Sequence, residues 1–203
     1  MFSLRTTRLA FLSLCLFAAC RVRDDRPTRR DCPDGRCPAQ DHTLRSAFRT
    51  GGEHPVMNLP PAARCRNYAG GSCVIASTIS LLRWQGLDEL AERFRRLYSG
   101  GQSADSLHAK LDAHALRYAC TTRGDVRFLE WAIRTRRGAG ITFYPMHFVN
   151  LVDLTPTHAV LLDNNRVERY ITLPRREFEQ RWRAYGGWAT TVVYAPAPPV
   201  AKR

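Results

Sequence analysis

Lysine is almost missing from this chain of 203 residues: it stands only at 110 and 202, so arginine carries nearly all the positive side of a formal net charge of +13. A basic balance of that size raises the question of nucleic acid. The arginines are nevertheless scattered through the N-terminal segment (Arg21, Arg23, Arg26, Arg29, Arg30), the middle (Arg134, Arg136, Arg137) and the end (Arg175, Arg176, Arg181, Arg183). No strand or helix interleaves them with aromatics, which argues against a nucleic-acid partner and leaves attraction to an anionic membrane or cell envelope. Long apolar runs are lacking too: LAFLSLCLFAA, near the start, has about 11 residues against roughly 20 needed to span a bilayer. There is no internal repeat. No Cys/His cluster has zinc spacing, since the short Cys32 and Cys37 pair lacks partner ligands, and no metal or cofactor is expected.

What is present at the N-terminus points to export. Arg5 and Arg8 precede the apolar run, and the small residues Ala18 and Ala19 precede Cys20, the pattern of a secretory signal peptide over residues 1–19. The stretch Leu16-Phe17-Ala18-Ala19-Cys20 also resembles a bacterial lipoprotein signal, although Phe17 departs from the usual residue there. That resemblance implies lipidation of Cys20 and a cell-envelope membrane location, with simple secretion and a retained anchor as alternatives. Residues 20–55 are rich in Arg, Asp, Pro and Gly and read as a disordered tether, because so few apolar side chains cannot offset the entropy of ordering. Residues 196–203 form a Pro-rich tail, leaving one domain of ordinary size over 56–195.

Export permits disulfides. Cys15 leaves with the signal, Cys32 and Cys37 flank the tight-turn sequence Pro33-Asp34-Gly35, and Cys65 with Cys120 forms a pair by elimination. Cys73 is then the thiol left over.

Within the domain, apolar periodicity predicts a helix from Cys73 to a C-cap at Gln85-Gly86, and further helices over about 87–98, 103–115 and 126–136. Ser103 and Asp125 are the expected caps of the last two. After Gly138-Ala139-Gly140 the pattern turns to strands: ITFYPM, HFVNLVDL, HAVLLDN, RYITL and WATTVVYA, interrupted by a short helix over about 175–183. Helices followed by an antiparallel sheet make an α+β domain.

Cys73 ends a polar, glycine-bearing loop and begins a helix, where free N–H groups and the helix dipole favour a thiolate. The alternative is a buried cysteine packed as a small hydrophobe. A nucleophile needs an imidazole beside it and a third group to orient that imidazole. His42 and His54 lie in the tether, and His108 and His114 sit on a helix in solvated or packed positions, leaving His147 and His158. Thr155-Pro156-Thr157 reads as a hairpin turn, and centring it on Thr155 puts His147 opposite Asp163, with Cβ atoms roughly 4.5–5.5 Å apart. His158 is five residues from Asp163 on the same strand, about 16 Å away and on the opposite face. A one-residue slip would turn His147 and Asp163 to opposite faces. Asn67, six residues before Cys73, can offer an amide to a developing oxyanion beside the Cys73 backbone N–H, or can be an ordinary turn residue.

This order of an amide residue, then Cys at a helix start, then His, then Asp sixteen later resembles the papain-like bacteriocin-processing (double-glycine, C39-like) peptidases. LLRWQG, His147-Phe148-Val149 and TLPRREFEQRW followed by GGWA resemble further segments of that family, over about residues 60–194. The resemblance implies a papain-like fold and a cysteine peptidase acting on a peptide or protein. It implies Cys73 as nucleophile, His147 as general base and acid, Asp163 as orienter and Asn67 as oxyanion donor. The family usually has Gln where Asn67 stands and Gly-Pro where this chain has Val74-Ile75. A catalytically inactive binding module is therefore one alternative, and a transglutaminase- or amidase-type acyl transferase using the same residues is another. Cleavage after double glycine is not implied for an exported chain without a transporter domain.

Overall fold

The computed structural model describes residues 55–68 and 70–193. The signal peptide, Cys20, the Cys32–Cys37 pair, His42, His54 and the Pro-rich tail lie outside the described residues. Five α-helices and six strands follow in the order α1 (Cys73–Trp84), α2 (Asp88–Leu97), α3 (Ala104–Ala113), β1 (Tyr118–Thr121), α4 (Val126–Arg134), β2 (Ala139–Thr142), β3 (Phe148–Leu154), β4 (His158–Leu162), β5 (Tyr170–Pro174), α5 (Arg175–Ala184) and β6 (Ala189–Val192). The α+β expectation holds, with one addition. β1 falls between helices, where no strand is expected, and pairs antiparallel with β6 at the far edge of the sheet. The complete sheet is antiparallel in the order β1-β6-β2-β3-β4-β5.

The expected caps form. Ser103 accepts from the Ser106 backbone N–H and Asp125 from that of Arg127, each satisfying an otherwise orphan donor of a first turn. α1 is different: it is apolar nearly all round, with eleven of its twelve residues buried, because it is the central helix of the domain.

β3 is buried along its whole length because both faces of the sheet are covered. Val149 and Leu151 join a cluster with Phe128 and Ile133 of α4 and Phe178 and Trp182 of α5. On the other face, Phe148 packs with Ile75 and Ile79 of α1, Phe94 of α2 and Leu111 of α3. Fully burying side chains of this size stabilises by about 1.5–3 kcal/mol each, so the clusters on either face pin the sheet between the helical layers. Gly140 makes that packing possible at the start of β3. A Cβ there would stand 2.3 Å from the ring of Phe148, which is itself wedged against Trp188 with centroids 4.5 Å apart.

The expected pairing of Cys65 with Cys120 is not formed: Cys65 is free and Cys120 is disulfide-bonded. Elimination assigned these two to each other only because they share the domain, and sequence carries no information on which thiols the fold brings together.

Candidate active site

The site lies where α1 begins, β3 begins and β4 has just ended. Cys73 is the first residue of α1, and Ser72 before it makes no side-chain cap. The Ser72 hydroxyl instead accepts from the Gly100 backbone N–H at 2.8 Å, binding the connection between α2 and α3 to the Cys73 loop. The first N–H groups of a helix have no carbonyl within it, and that of Val74 is among the groups that lower the Cys73 pKa. Cys73 is 7 % exposed, less open than a loop position suggests.

His147 immediately precedes β3, behind a connection whose Tyr144 and Met146 have φ of 68° and 55°. Both lie in the left-handed region that non-glycine residues adopt only at a cost. The imidazole Nε2 is 2.8 Å from Asp163 Oδ1. Its other nitrogen, Nδ1, is thereby left free of the carboxylate, and Cys73 is the second group that raises the pKa of the ring.

The register that brings His147 to Asp163 differs from the one expected. Leu154 pairs with Ala159 and Asp153 with Val160, so the turn is centred later than Thr155. An irregularity at Val152 then shifts the ladder, and Leu151 pairs with Leu161 and Asn150 with Leu162. Continued outward, that register sets His147 opposite Asn165 and Asp163 on the neighbouring diagonal. The displacement is by two residues, and an even displacement keeps a side chain on its face.

Burial by itself would raise the Cys73 pKa, but the hydrogen bond with His147, the backbone N–H groups of Phe148 and Val74 and the imidazolium charge bring it below its ordinary value. Burial by itself would lower that of His147; the hydrogen bonds to Asp163 and Cys73 and their charges raise it from 6.5 to about 9. Asp163 is held below the usual carboxylate range against its own burial, chiefly by His147 and by the Asn165 backbone N–H, 2.8 Å from Oδ1. A thiolate, an imidazolium and a carboxylate in series are an arrangement capable of nucleophilic chemistry on a carbonyl.

Asn67 stands by this site, and its amide is already engaged: Nδ2 donates to Asn165 Oδ1 at 3.0 Å. Its own Oδ1 is buried without a hydrogen-bond partner among the described residues. The other histidines lie elsewhere. His108 is buried, 3.1 Å from the Thr190 hydroxyl and stacked on Tyr118, His114 meets the Tyr98 hydroxyl, and His158 is exposed at the β3–β4 turn.

The sequence gives Asn164, the last residue of HAVLLDN, and Asn165 after it no role in the site. Asn165 Nδ2 lies 3.3 Å from His147 Nε2, and the buried Asn164 donates to backbone on both α1 and β3. A run of polar residues directly after an apolar strand and next to Asp163 was the available signal. Among the described residues, no group of three or more His, Cys, Asp or Glu side chains could hold a metal ion, and no helix is long and apolar enough to cross a membrane.

No family model matches the sequence, and no curated protein matches it. Solved structures do resemble it. A protein from Bacillus anthracis described as a C39-like peptidase superposes with a TM-score of 0.54 at 13 % identity, covering 71 % of this chain and 98 % of that one. A double-glycine motif protease from an AMS/PCAT transporter, solved with a leader peptide, gives a TM-score of 0.48 at 15 % identity, covering 63 % of this chain and 89 % of that one. The chain therefore has the papain-like α+β fold of C39-like peptidases, as the resemblance in its sequence implies.

Proposed function

We propose that this chain is a cysteine peptidase that hydrolyses peptide bonds through Cys73, His147 and Asp163. Support comes above all from one observation: His147 is held with Nε2 2.8 Å from Asp163 Oδ1 and acts on the Cys73 thiol to lower its pKa, in a fold shared with a C39-like peptidase. The thiolate attacks the peptide carbonyl carbon, and the carbonyl π pair moves to oxygen. His147 gives its proton to the leaving amine as the C–N bond breaks, leaving an acyl-enzyme. Neutral His147 then takes a proton from water, whose oxygen displaces the sulfur and releases the acid. Asp163 keeps the imidazole in the tautomer that presents Nδ1 to sulfur.

The oxyanion would meet the Cys73 backbone N–H and the remaining amide hydrogen of Asn67. Because Asn67 already donates to Asn165, the inactive binding module is kept as the second reading. Replacement of Asn67 by Ala separates the two. A fall in kcat of about 10²–10³ marks an oxyanion donor, whereas unchanged peptide binding and no turnover in either protein marks a module.

The experiment for the main proposal is labelling with iodoacetamide at limiting concentration at pH 6–7, followed by assay on a peptide library. Selective labelling of Cys73 with hydrolysis abolished is the expected result. Labelling with amine incorporation in place of hydrolysis would favour an acyl transferase. We also propose export and lipid anchoring through Cys20, with peptide or protein substrates met in the cell envelope. Fatty-acid labelling that persists in a Cys20→Ala chain would overturn the anchor.

A further inference from the structure

We propose that Asn164 is a positioning residue for the Cys73–His147 pair, holding the backbone of the helix that supplies the sulfur against the backbone of the strand that supplies the imidazole. The inference rests on the peptidase reading for its purpose, and on geometry for its content. Cys73 and His147 come from different layers, and no covalent link shorter than the chain between them sets their separation. Asn164 Nδ2 lies 3.0 Å from the Cys73 carbonyl oxygen, 2.7 Å from the Phe148 carbonyl oxygen and 2.9 Å from Ser77 Oγ. Ser77 is one helical turn beyond Cys73, and its own hydroxyl donates to the Phe148 carbonyl at 3.3 Å. Asn150 Nδ2 donates to the Ser77 carbonyl at 3.3 Å, a second amide bridge from β3 to the same turn of α1.

The side chain of Asn164 is present for its donors. It is 3 % exposed, its Nδ2 faces three acceptors, and its Oδ1 has no hydrogen-bond partner among the described residues. Two hydrogens shared among three acceptors lie where α1 and β3 meet, and both backbone acceptors adjoin groups that the thiolate needs. The Phe148 N–H donates to the sulfur, and His147 is bonded directly to Phe148. Asn164 also follows Asp163, so the orienter and the clamp move as one segment. That segment is tied to the loop before Cys73 by the Asn67 backbone N–H on the Asn164 carbonyl at 2.8 Å and by Arg66 Nη1 on the Asn165 carbonyl at 3.2 Å.

The test compares wild type with Asn164→Ala and Ser77→Ala by the pH profile of iodoacetamide alkylation at Cys73 and by steady-state hydrolysis. In Asn164→Ala the alkylation midpoint is expected to rise by about one pH unit or more, because the N–H of Phe148 and the imidazole drift from the sulfur. kcat should fall by about 10²-fold with KM within a few-fold, as misplacement of reacting groups predicts. Ser77→Ala should shift both in the same direction by a smaller amount. A folded Asn164→Ala chain, judged by an unchanged far-UV spectrum, with the wild-type alkylation profile and kcat would overturn the proposal. If Asn164→Ala does not fold, an unshifted profile in Ser77→Ala overturns it. A wild-type chain that hydrolyses no peptide, yet whose lowered thiol pKa rises in Asn164→Ala, keeps the positioning role and sinks only the peptidase reading.

Discussion

Cys65 and Cys73 are eight residues apart, both free and both buried, at 1 % and 7 % exposure, yet their thiols are driven in opposite directions. At Cys65, burial dominates and raises the pKa, although Arg83 and Arg95 pull the other way. Arg95 Nη1 is 3.9 Å from that sulfur, a contact too long for a strong charge-assisted bond. At Cys73 burial acts in the same sense and is overcome, because an imidazolium and two backbone N–H groups donate to the sulfur. Nearby positive charge and one long guanidinium contact are therefore insufficient to lower the pKa of a buried thiol; the imidazole and two backbone N–H groups at Cys73 are what separate the two sites.

Exchange of each thiol for a methyl group tests that contrast most severely. Cys73→Ala should lower peptide hydrolysis by at least ~10³-fold, while Cys65→Ala should remain within about twofold of wild type and lose about 1 kcal/mol of stability, read by steady-state assay and denaturant unfolding. Asp163→Asn should carry Cys73 toward the behaviour of Cys65. Loss of the carboxylate lowers the His147 pKa and costs roughly 10²–10⁴ in kcat/KM, with the alkaline limb of the pH profile moving down from about 9.

Gly140→Ala should disturb one thiol and not the other. The new Cβ displaces Phe148, destabilising by about 1–3 kcal/mol in denaturant titration and slowing alkylation of Cys73 alone. The pH dependence of stability is a gentler probe. His147 has a raised pKa, so its contribution is complete below 6.5 and is lost as pH climbs through about 9. Asp163 has a lowered pKa, so its contribution is present above 3.8 and is lost as pH falls through its folded value. Cys73 has a lowered pKa and acts in the opposite sense over this range, offsetting His147 in the wild type, so the melting temperature should fall more steeply between pH 6.5 and 9 in Cys73→Ala than in wild type, whereas Cys65→Ala should track wild type. Smallest of all, Arg95→Ala should make Cys65 slightly harder to alkylate and leave Cys73 unchanged.

Much of the fold was legible because local rules and tertiary context agree. α1 through α5 fall where apolar period, Ser103, Asp125 and Gly86 put them, within about two residues. β1 escaped notice because Tyr118–Thr121 is too short to show alternation and owes its conformation to pairing with β6, some seventy residues later. β2 begins at Ala139, where glycines suggest a break, because Gly140 is required under the Phe148 ring. Of the candidate site, Cys73, His147 and Asp163 come together. Asn164 and Asn165 were missed because an amide's role depends on which backbone groups surround it.

Residue types and order in the sequence alone determined the α+β class, the helix start at Cys73 and the placing of His147 and an acidic residue on the two arms of one hairpin. The tertiary structure decided whether that pairing lands on one face. The turn, centred after Thr155, would by itself have set Asp163 opposite Asn150 and turned it away from His147; the irregularity at Val152 restores the face. Strand side chains alternate with a period of two, so one extra residue in a ladder decides which way every later side chain points. Such a bulge is settled by how β3 packs between α1 on one side and α4 and α5 on the other, information that no local stretch of sequence contains.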